Sequence, residues 1–499
     1  MKNGKRIALI NPRVESFSGN MPPLGILYIA AILEKNGYEV KIFDIYPYDD
    51  RSIPAMLDYQ PEIIGMTVLT DYWPRAKYIS KTIKEKLPNS FFVVGGVHVT
   101  ALPEESILEL NADAAVIGEG EYTFLELCVH LNNGTDWKGT KGIIYRDEDR
   151  NFIATPGRPY ISNLDEIPFP ARHLLNFDDY LMPPGIIRGR WTERSTTVMT
   201  GRGCPFQCIW CGSQCTFGRK VRYRSIDNVI QEIIQLIRDF HVDAVWFIDD
   251  TFTLNKERVI EFCEKVISNN IKLIFGCQAH VKTADEAMFK LMKKAGFVQV
   301  DFGVESGSDK VLKALKKNSD AVSIKKAFSC AKSAGLRTLG TFMFGSPSET
   351  EEDVEATIKL TKEIRPSFVS AYFLTPYPGT ELMKMSQENN WIKNLDRDEM
   401  GLKKRPMLQI HFSENELYKI RSRFLRKYIL RNFFIPICSP HNLIKLSSLF
   451  MQYPKGIFLG IKKYFKTFVF NDLVFAFLVY YVQERADRQK RLRDRRVSS

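Results

Sequence analysis

GRGCPFQCIWCGSQ, residues 201 to 214, places Cys204, Cys208 and Cys211 in the spacing C-x3-C-x2-C. A four-iron cluster normally takes four cysteines, so a loop with three thiolates would hold a cube with one iron left open to another ligand. Two other readings fit the same residues. Cys215 stands four positions beyond Cys211, and four thiolates could close a structural zinc site, although paired C-x2-C is the commoner zinc spacing. Scattered core cysteines are the second, but Gly201, Gly203 and Pro205 describe a tight exposed loop and not a buried strand.

Outward from this loop the chain alternates. STTVMTGRG leads into it, residues 225 to 239 read as an amphipathic helix, and AVWFIDDTF, LIFGCQAHV, QVDFGVESG, RTLGTFMFGSPSE and FVSAYFLTPYPGTEL read as strands with helices between. Six β-α repeats from about 195 to 385 fall short of a closed eight-stranded barrel, and the side chains that matter should sit at strand ends. Asp249 and Asp250 end the second strand, where they could serve as general base, metal ligands or a helix cap near Asn255. Gln278 and His280 end the third, where His280 could relay protons or be a satisfied buried histidine. Glu305 ends the fourth.

Before the loop stands another alternating series. RIALINP, a helix in PPLGILYIAAILEKNG, YEVKIFD, EIIGMTVL, a helix over roughly 74 to 87, FFVVGG, a helix over 103 to 111 and DAAVIGEGE predict a parallel doubly wound sheet. Such sheets bind ligands at the carboxyl ends of their strands, which selects Thr67 to Leu69, Gly95 and Gly96, and Gly118 to Glu121. Turn glycines of any doubly wound domain would look the same. Residues 141 to 194 read as a hairpin turning near Asp147 to Asn151 and a proline-rich linker.

C-x3-C-x-aromatic-C, with Trp210 as the aromatic, resembles the cluster loop of the radical S-adenosylmethionine (SAM) enzymes. PPLGILYIAAILEKNGYEVKIFD, VGGVHVT and DAAVIGEGE resemble the amino-terminal domain of their cobalamin-binding branch, with Thr67-x-Leu69 and Gly95-Gly96 matching its S/T-x-L and GG elements. The resemblance implies a [4Fe-4S] cluster on Cys204, Cys208 and Cys211 whose open iron chelates SAM, one-electron cleavage to a 5′-deoxyadenosyl radical, and a partial (β/α)6 barrel. It also implies cobalamin contacts at Thr67, Leu69, Gly95, Gly96, Gly118 and Glu119, and SAM contacts at Trp210, Glu305 and Gly345. Gly345, Pro347 and Glu349, with Pro376 to Thr380, match motifs of the fifth and sixth strands. The D-x-H-x-x-G of the cobalamin mutases is missing after the first strand, so no histidine is assigned to cobalt; His98 beside the double glycine reads equally as a surface loop residue.

The expected organisation is a cobalamin-binding domain over 1–140, hairpin and linker over 141–194, the barrel over 195–400 and a helical basic region over 401–499. The expected function is methyl transfer to an unactivated carbon of a hydrophobic small molecule, with radical ring formation of the anaerobic tetrapyrrole cyclase type as the alternative. Flavodoxin or ferredoxin would supply electrons. The net charge of +12 lies in the tail, since residues 403 to 499 carry 21 Lys and Arg against 6 Asp and Glu. ENELYKIRSRFLRKYILRNFF reads as a basic amphipathic helix followed by an aromatic, apolar stretch, predicting either a cap on the barrel or contact with an anionic membrane surface. No uncharged run there, Leu473 to Gln483 among them, reaches the roughly 20 residues of a transmembrane helix. Nucleic acid is not expected, because no helix-turn-helix or basic-aromatic platform is visible. Nine cysteines form an odd count for a disulfide framework, and MKNGKRIALI opens as a strand and not a signal peptide, so the expected setting is the reducing cytoplasm.

Overall fold

The computed structural model describes residues 5–13, 21–45, 52–180, 187, 188, 190, 192, 194–392, 397–400, 405–426 and 428. The first series is β1 (Ile7–Pro12), α1 (Leu24–Lys35), β2 (Val40–Ile45), α2 (Ser52–Tyr59), β3 (Ile63–Thr67), α3 (Trp73–Lys86), β4 (Phe91–Gly95), α4 (Val97–Ala101), α5 (Pro103–Leu110), β5 (Ala114–Val116) and α6 (Glu121–Asn133). Its strands pair in the order β2-β1-β3-β4-β5, all parallel. Ile7 to Ile10 and Phe92 to Val94 are buried because helices cover both faces, which is why these strands are apolar without alternation. The strand order reverses beside β1, so a crevice opens at the carboxyl ends of β1 and β3.

The hairpin expected in the linker belongs to this sheet. β6 (Ile143–Arg146) pairs antiparallel with β5, and β7 (Phe152–Ala154) pairs antiparallel with β6, so the sheet runs past residue 140. Its turn closes through the Asp147 amide donating to the Asn151 carbonyl at 3.0 Å. Unpaired, the β5 edge would leave backbone groups open, and a hairpin is the shortest cover.

The second series is β8 (Ser195–Val198), β9 (Gly201–Arg202), α7 (Ser213–Phe217), β10 (Arg222–Tyr223), α8 (Ile226–Phe240), β11 (Ala244–Phe247), α9 (Lys256–Ser268), β12 (Ile274–Ala279), α10 (Glu286–Lys294), β13 (Phe297–Glu305), α11 (Asp309–Ala314), α12 (Ala321–Ser333), β14 (Arg337–Phe344), α13 (Glu351–Ile364) and β15 (Phe368–Phe373). Six strands pair in parallel as β15-β14-β13-β12-β11-β8, with two open edges in place of a closed barrel. Helix signals are local: Ser225 caps α8 by accepting from the Asn228 amide, and Val229, Ile230, Ile233 and Leu236 form its buried stripe.

After α14 (Glu381–Glu388) comes α15 (Glu414–Arg426), the described part of the expected basic helix. Leu417, Ile420 and Phe424 are buried, and the Phe424 ring stands 4.9 Å from Phe342 and 5.3 Å from Phe344. This segment therefore packs on β14 and β15 as a cap. The aromatic stretch and basic tail beyond residue 428 lie outside the described residues, as does the membrane contact expected of them. Among the described residues no helix is long and apolar enough to cross a membrane.

Candidate active site at the junction of two strand-end clusters

β9 and β10 form the base of an excursion that carries all three loop cysteines. Gly203 must be glycine: its φ is +92°, and a Cβ would stand 2.5 Å from the Lys220 carbonyl oxygen. The loop is pinned by the Cys204 amide on Gly218 O (3.3 Å), the Ile209 amide on Leu315 O (3.2 Å) and the Leu382 amide on Ile209 O (2.9 Å). Burial pushes the thiol of Cys204 up, that of Cys208 to about 11 and that of Cys211 to about 12. Such thiols ionise only if strong positive charge replaces their protons, which iron does.

Cys215 faces elsewhere, its thiol donating to the Gly379 carbonyl at 3.2 Å. The donor set fits a cluster held by three cysteines.

Over the loop lie residues from β13 and the turn after α11. Glu305 ends β13 with φ +66°, a strained setting for a non-glycine residue. Its Oε1 is 3.0 Å from Lys317 Nζ, and Lys317 stands 5.6 Å from the centre of the Trp210 ring. Sequence reasoning missed Lys317, because LKKNSD reads as a solvated turn. Gly345 has φ +93° and donates its amide to Glu349 Oε2 at 2.7 Å. Burial raises the Glu349 carboxyl to about 7, against those amides.

Three expected catalytic side chains are otherwise employed. Asp249 accepts from the Thr200 amide at 2.6 Å and from the Thr200 hydroxyl, tying the end of β11 to that of β8. Asp250 accepts from Ser213 Oγ at 2.5 Å at the start of α7. Neither caps α9, whose cap is Asn255, accepting from the Arg258 amide at 2.9 Å. His280 pairs Nε2 with Lys317 O at 3.0 Å and accepts the Lys282 amide on Nδ1 at 3.2 Å, so neither nitrogen is spare for relaying protons. Burial, then the neighbouring Lys317 charge, lowers its pKa to about 4.

Inside the barrel, Gln278 on β12 faces Asp301 on β13 in register. Asp301 accepts from Gln299 Nε2 at 2.7 Å and from Arg188 at 3.4 Å, and burial raises its carboxyl to about 7. Trp246 lies across Gly276, where a Cβ would stand 2.6 Å from the indole, and groups with Ile187, Ile248 and Val298. This face of the sheet thus carries the apolar Trp246 group and, beside it, Gln278 and an Asp301 bonded to Gln299 and Arg188.

In the first unit, Gly96 has φ +103°, and a Cβ there would meet Val68 O at 2.8 Å and Thr67 Oγ1 at 3.1 Å. Leu69 is exposed on the same rim, Gly95 follows β4, and Gly118 has φ +75°. Gly96 thus lets the turn after β4 press against the backbone at the end of β3, and the three strand ends lie together on one rim. His98 is not a surface residue: it is 1% exposed, its ring centre is 4.4 Å from that of Trp73, and its Nδ1 lies 3.1 Å from Thr70 Oγ1. Glu119, expected to touch cobalamin, is instead saturated. It takes Arg202 Nη1 at 2.8 Å, Arg222 Nη1 at 2.8 Å and the Ile161 amide at 2.8 Å, while Glu121 takes Arg202 Nη2 at 2.6 Å. These arginines are the base of the cysteine excursion, so the carboxylates clasp the two units together. Beside the clasp, α4 packs on α7, and a Cβ on Gly379 would stand 2.9 Å from that of Ala101.

Residues 10–128 match the B12 binding domain family and residues 198–361 the radical SAM superfamily. An uncharacterised methyltransferase of Pyrococcus horikoshii is 34% identical over 85% of this chain and 93% of that protein. The anaerobic magnesium-protoporphyrin IX monomethyl ester cyclase of Rubrivivax gelatinosus is 30% identical over 76% of this chain and 69% of that protein. The structure of the cobalamin-dependent SAM radical enzyme OxsB, with aqua-cobalamin and SAM bound, superposes over 97% of this chain and 76% of that one with a TM-score of 0.72; at 18% identity the likeness is one of fold. The two matched domains, the extent of the shared sequence and the donor sets just described make the chain a member of the cobalamin-dependent radical SAM enzymes, whose cofactors are cobalamin, a [4Fe-4S] cluster and SAM.

Proposed function

We propose that the chain is a C-methyltransferase acting on a largely apolar small molecule that carries one hydrogen-bonding group. The observation that carries this reading is the packing of α4, just after the double glycine, against α7, just after the cysteine loop. It sets the segment after the double glycine beside the segment after the cysteine loop, which supports a substrate shared by the two strand-end clusters. When bound, SAM and the cluster supply a one-electron oxidant of C–H bonds, and cobalamin supplies the methyl group. The chain's own residues divide the remaining work. Cys204, Cys208 and Cys211 hold the cluster, Glu305 and Trp210 border SAM, and the Gly95–Gly96 and Gly118 turns with Thr67 and Leu69 cradle cobalamin. Trp246, Ile248 and Ile187 exclude water from the lumen, while Gln278 and Asp301 receive the substrate's polar group.

The similarity to a methyltransferase over most of both chains favours methyl transfer; the similarity to the cyclase keeps radical ring formation as the second reading. An acidic one-electron carrier such as flavodoxin or ferredoxin serves as reductant. Product counting decides between the two: methyl transfer yields both 5′-deoxyadenosine and S-adenosylhomocysteine and a substrate heavier by one CH2. Turnover of a native extract with 5′-deoxyadenosine alone and no methylated product would overturn the methyltransferase reading.

A further inference from the structure

Lys317 is buried beside the cysteine loop, and nothing in the reading above gives it a task. Its ammonium is 3.0 Å from Glu305 and faces the Trp210 ring at 5.6 Å. The segment that carries it is fastened to the loop twice, by the Ile209 amide on Leu315 O and by His280, which bonds Lys317 O and stacks on Phe206 with ring centres 3.8 Å apart. Burial opposes the charge of Lys317, and the facing Glu305 carboxylate favours it. A fixed charge in a low-dielectric site acts strongly on its neighbours, and net charge, hydrogen bonding and exposure set iron-sulfur potentials.

We propose that Lys317 is a positioning residue that sets the reduction potential of the cluster, with Glu305 as its opposing charge. The inference rests on the assignment of the cluster to Cys204, Cys208 and Cys211. Reduction adds one electron to the cluster. A buried cation favours the reduced form and a buried carboxylate disfavours it, so the two variants have opposite signs. Lys317→Met removes the cation and leaves Glu305 facing the cluster, and Glu305→Gln does the reverse.

The test is a redox titration of the anaerobically reconstituted full chain without SAM, read by electron spin resonance of the reduced cluster. Lys317→Met should lower the ratio of reduced to oxidised cluster about tenfold at the wild-type midpoint, which is ~59 mV for one electron. Glu305→Gln should raise that ratio, Lys317→Arg should keep the wild-type value, and the double variant K317M/E305Q should return close to it. Shifts of one sign in both single variants, or none in proteins with full iron and sulfide, overturn the proposal. If Lys317→Met assembles no cluster, Glu305→Gln against wild type decides, and an unmoved midpoint there overturns it. A wild-type chain that assembles no cluster at all would instead refute the cluster assignment.

Discussion

Glu119 and Glu305 are both buried carboxylates at the carboxyl end of a parallel strand, yet they do different work. Glu119 is closed on by two arginines and a backbone amide, with Glu121 sharing the first arginine. Among the described residues Glu305 pairs with Lys317 alone, and its backbone is held in the left-handed region. A saturated carboxylate is an architectural tie; one with open lone pairs can still accept from a ligand. The supply of donors from distant elements distinguishes the two, and each prediction below probes that distinction.

The largest expected effect lies on the Glu305 side. Replacing Cys204, Cys208 and Cys211 together with alanine should abolish iron and sulfide incorporation, whereas Cys215→Ala should retain it. Loss of the cluster in Cys215→Ala would mean that the fourth thiol is a ligand and that the barrel mouth is as closed as the clasp.

On the other side, Arg222→Met should leave Glu119 short of a partner in a buried site. Removing one member of a buried pair costs about 3–5 kcal/mol, so chemical denaturation should show a loss of that order with the cluster loop loosened. A variant within about 0.5 kcal/mol of wild type would show that the clasp adds little and that Glu119 is available for cobalamin.

A third buried carboxyl sharpens the contrast. Glu349 accepts the Gly345 and Ser346 amides on Oε2, while its Oε1 has no partner among the described residues, and its carboxyl is raised by burial to about 7. A raised acid stays neutral in the folded chain over a range where the unfolded chain has already lost the proton. Its contribution is therefore full below the unfolded value and falls away as pH rises toward 7. Glu349→Gln should flatten this decline, making the variant more stable relative to wild type at pH 7.5 than at pH 5 by an amount of order 3 kcal/mol. Denaturation at both values checks it, and parallel behaviour of the two proteins would refute it.

The smallest effect is expected at His98. Its ring packs on Trp73 and its Nδ1 meets Thr70, while Nε2 has no partner among the described residues. Because the residue is buried in the core at 1% exposure, spin resonance of the cobalt(II) form should lack nitrogen splitting from a lower ligand in wild type and in His98→Asn alike. Splitting that vanishes in the variant would make His98 a ligand.

Much of this could be read along the chain. The six strands of the barrel, the five parallel strands before it, the turn at Asp147 to Asn151 and the cysteine spacing are local signals, set by apolar runs, glycines and prolines within a few residues of one another. His280 was legible as a strand-end histidine but not as one with both nitrogens committed, because its partners include Lys317 O, 37 positions away. The hairpin's place in the first sheet was hidden for the same reason: β6 has a strand pattern, but only the exposed edge of β5 gives it somewhere to pair.

The sequence by itself determined the alternation of strands and helices, the three-cysteine loop and the glycines whose φ values no other residue adopts freely, because each depends on the periodicity or sterics of a short segment. Only the tertiary structure decided which carboxylates are tied and which are open. Glu119 meets Arg202 and Arg222 across 83 and 103 positions of chain, and Lys317 meets Glu305 through the turn that returns α11 to the barrel mouth. A buried charge persists where its partners come to it, and that arrival depends on the packing of elements far apart in the chain.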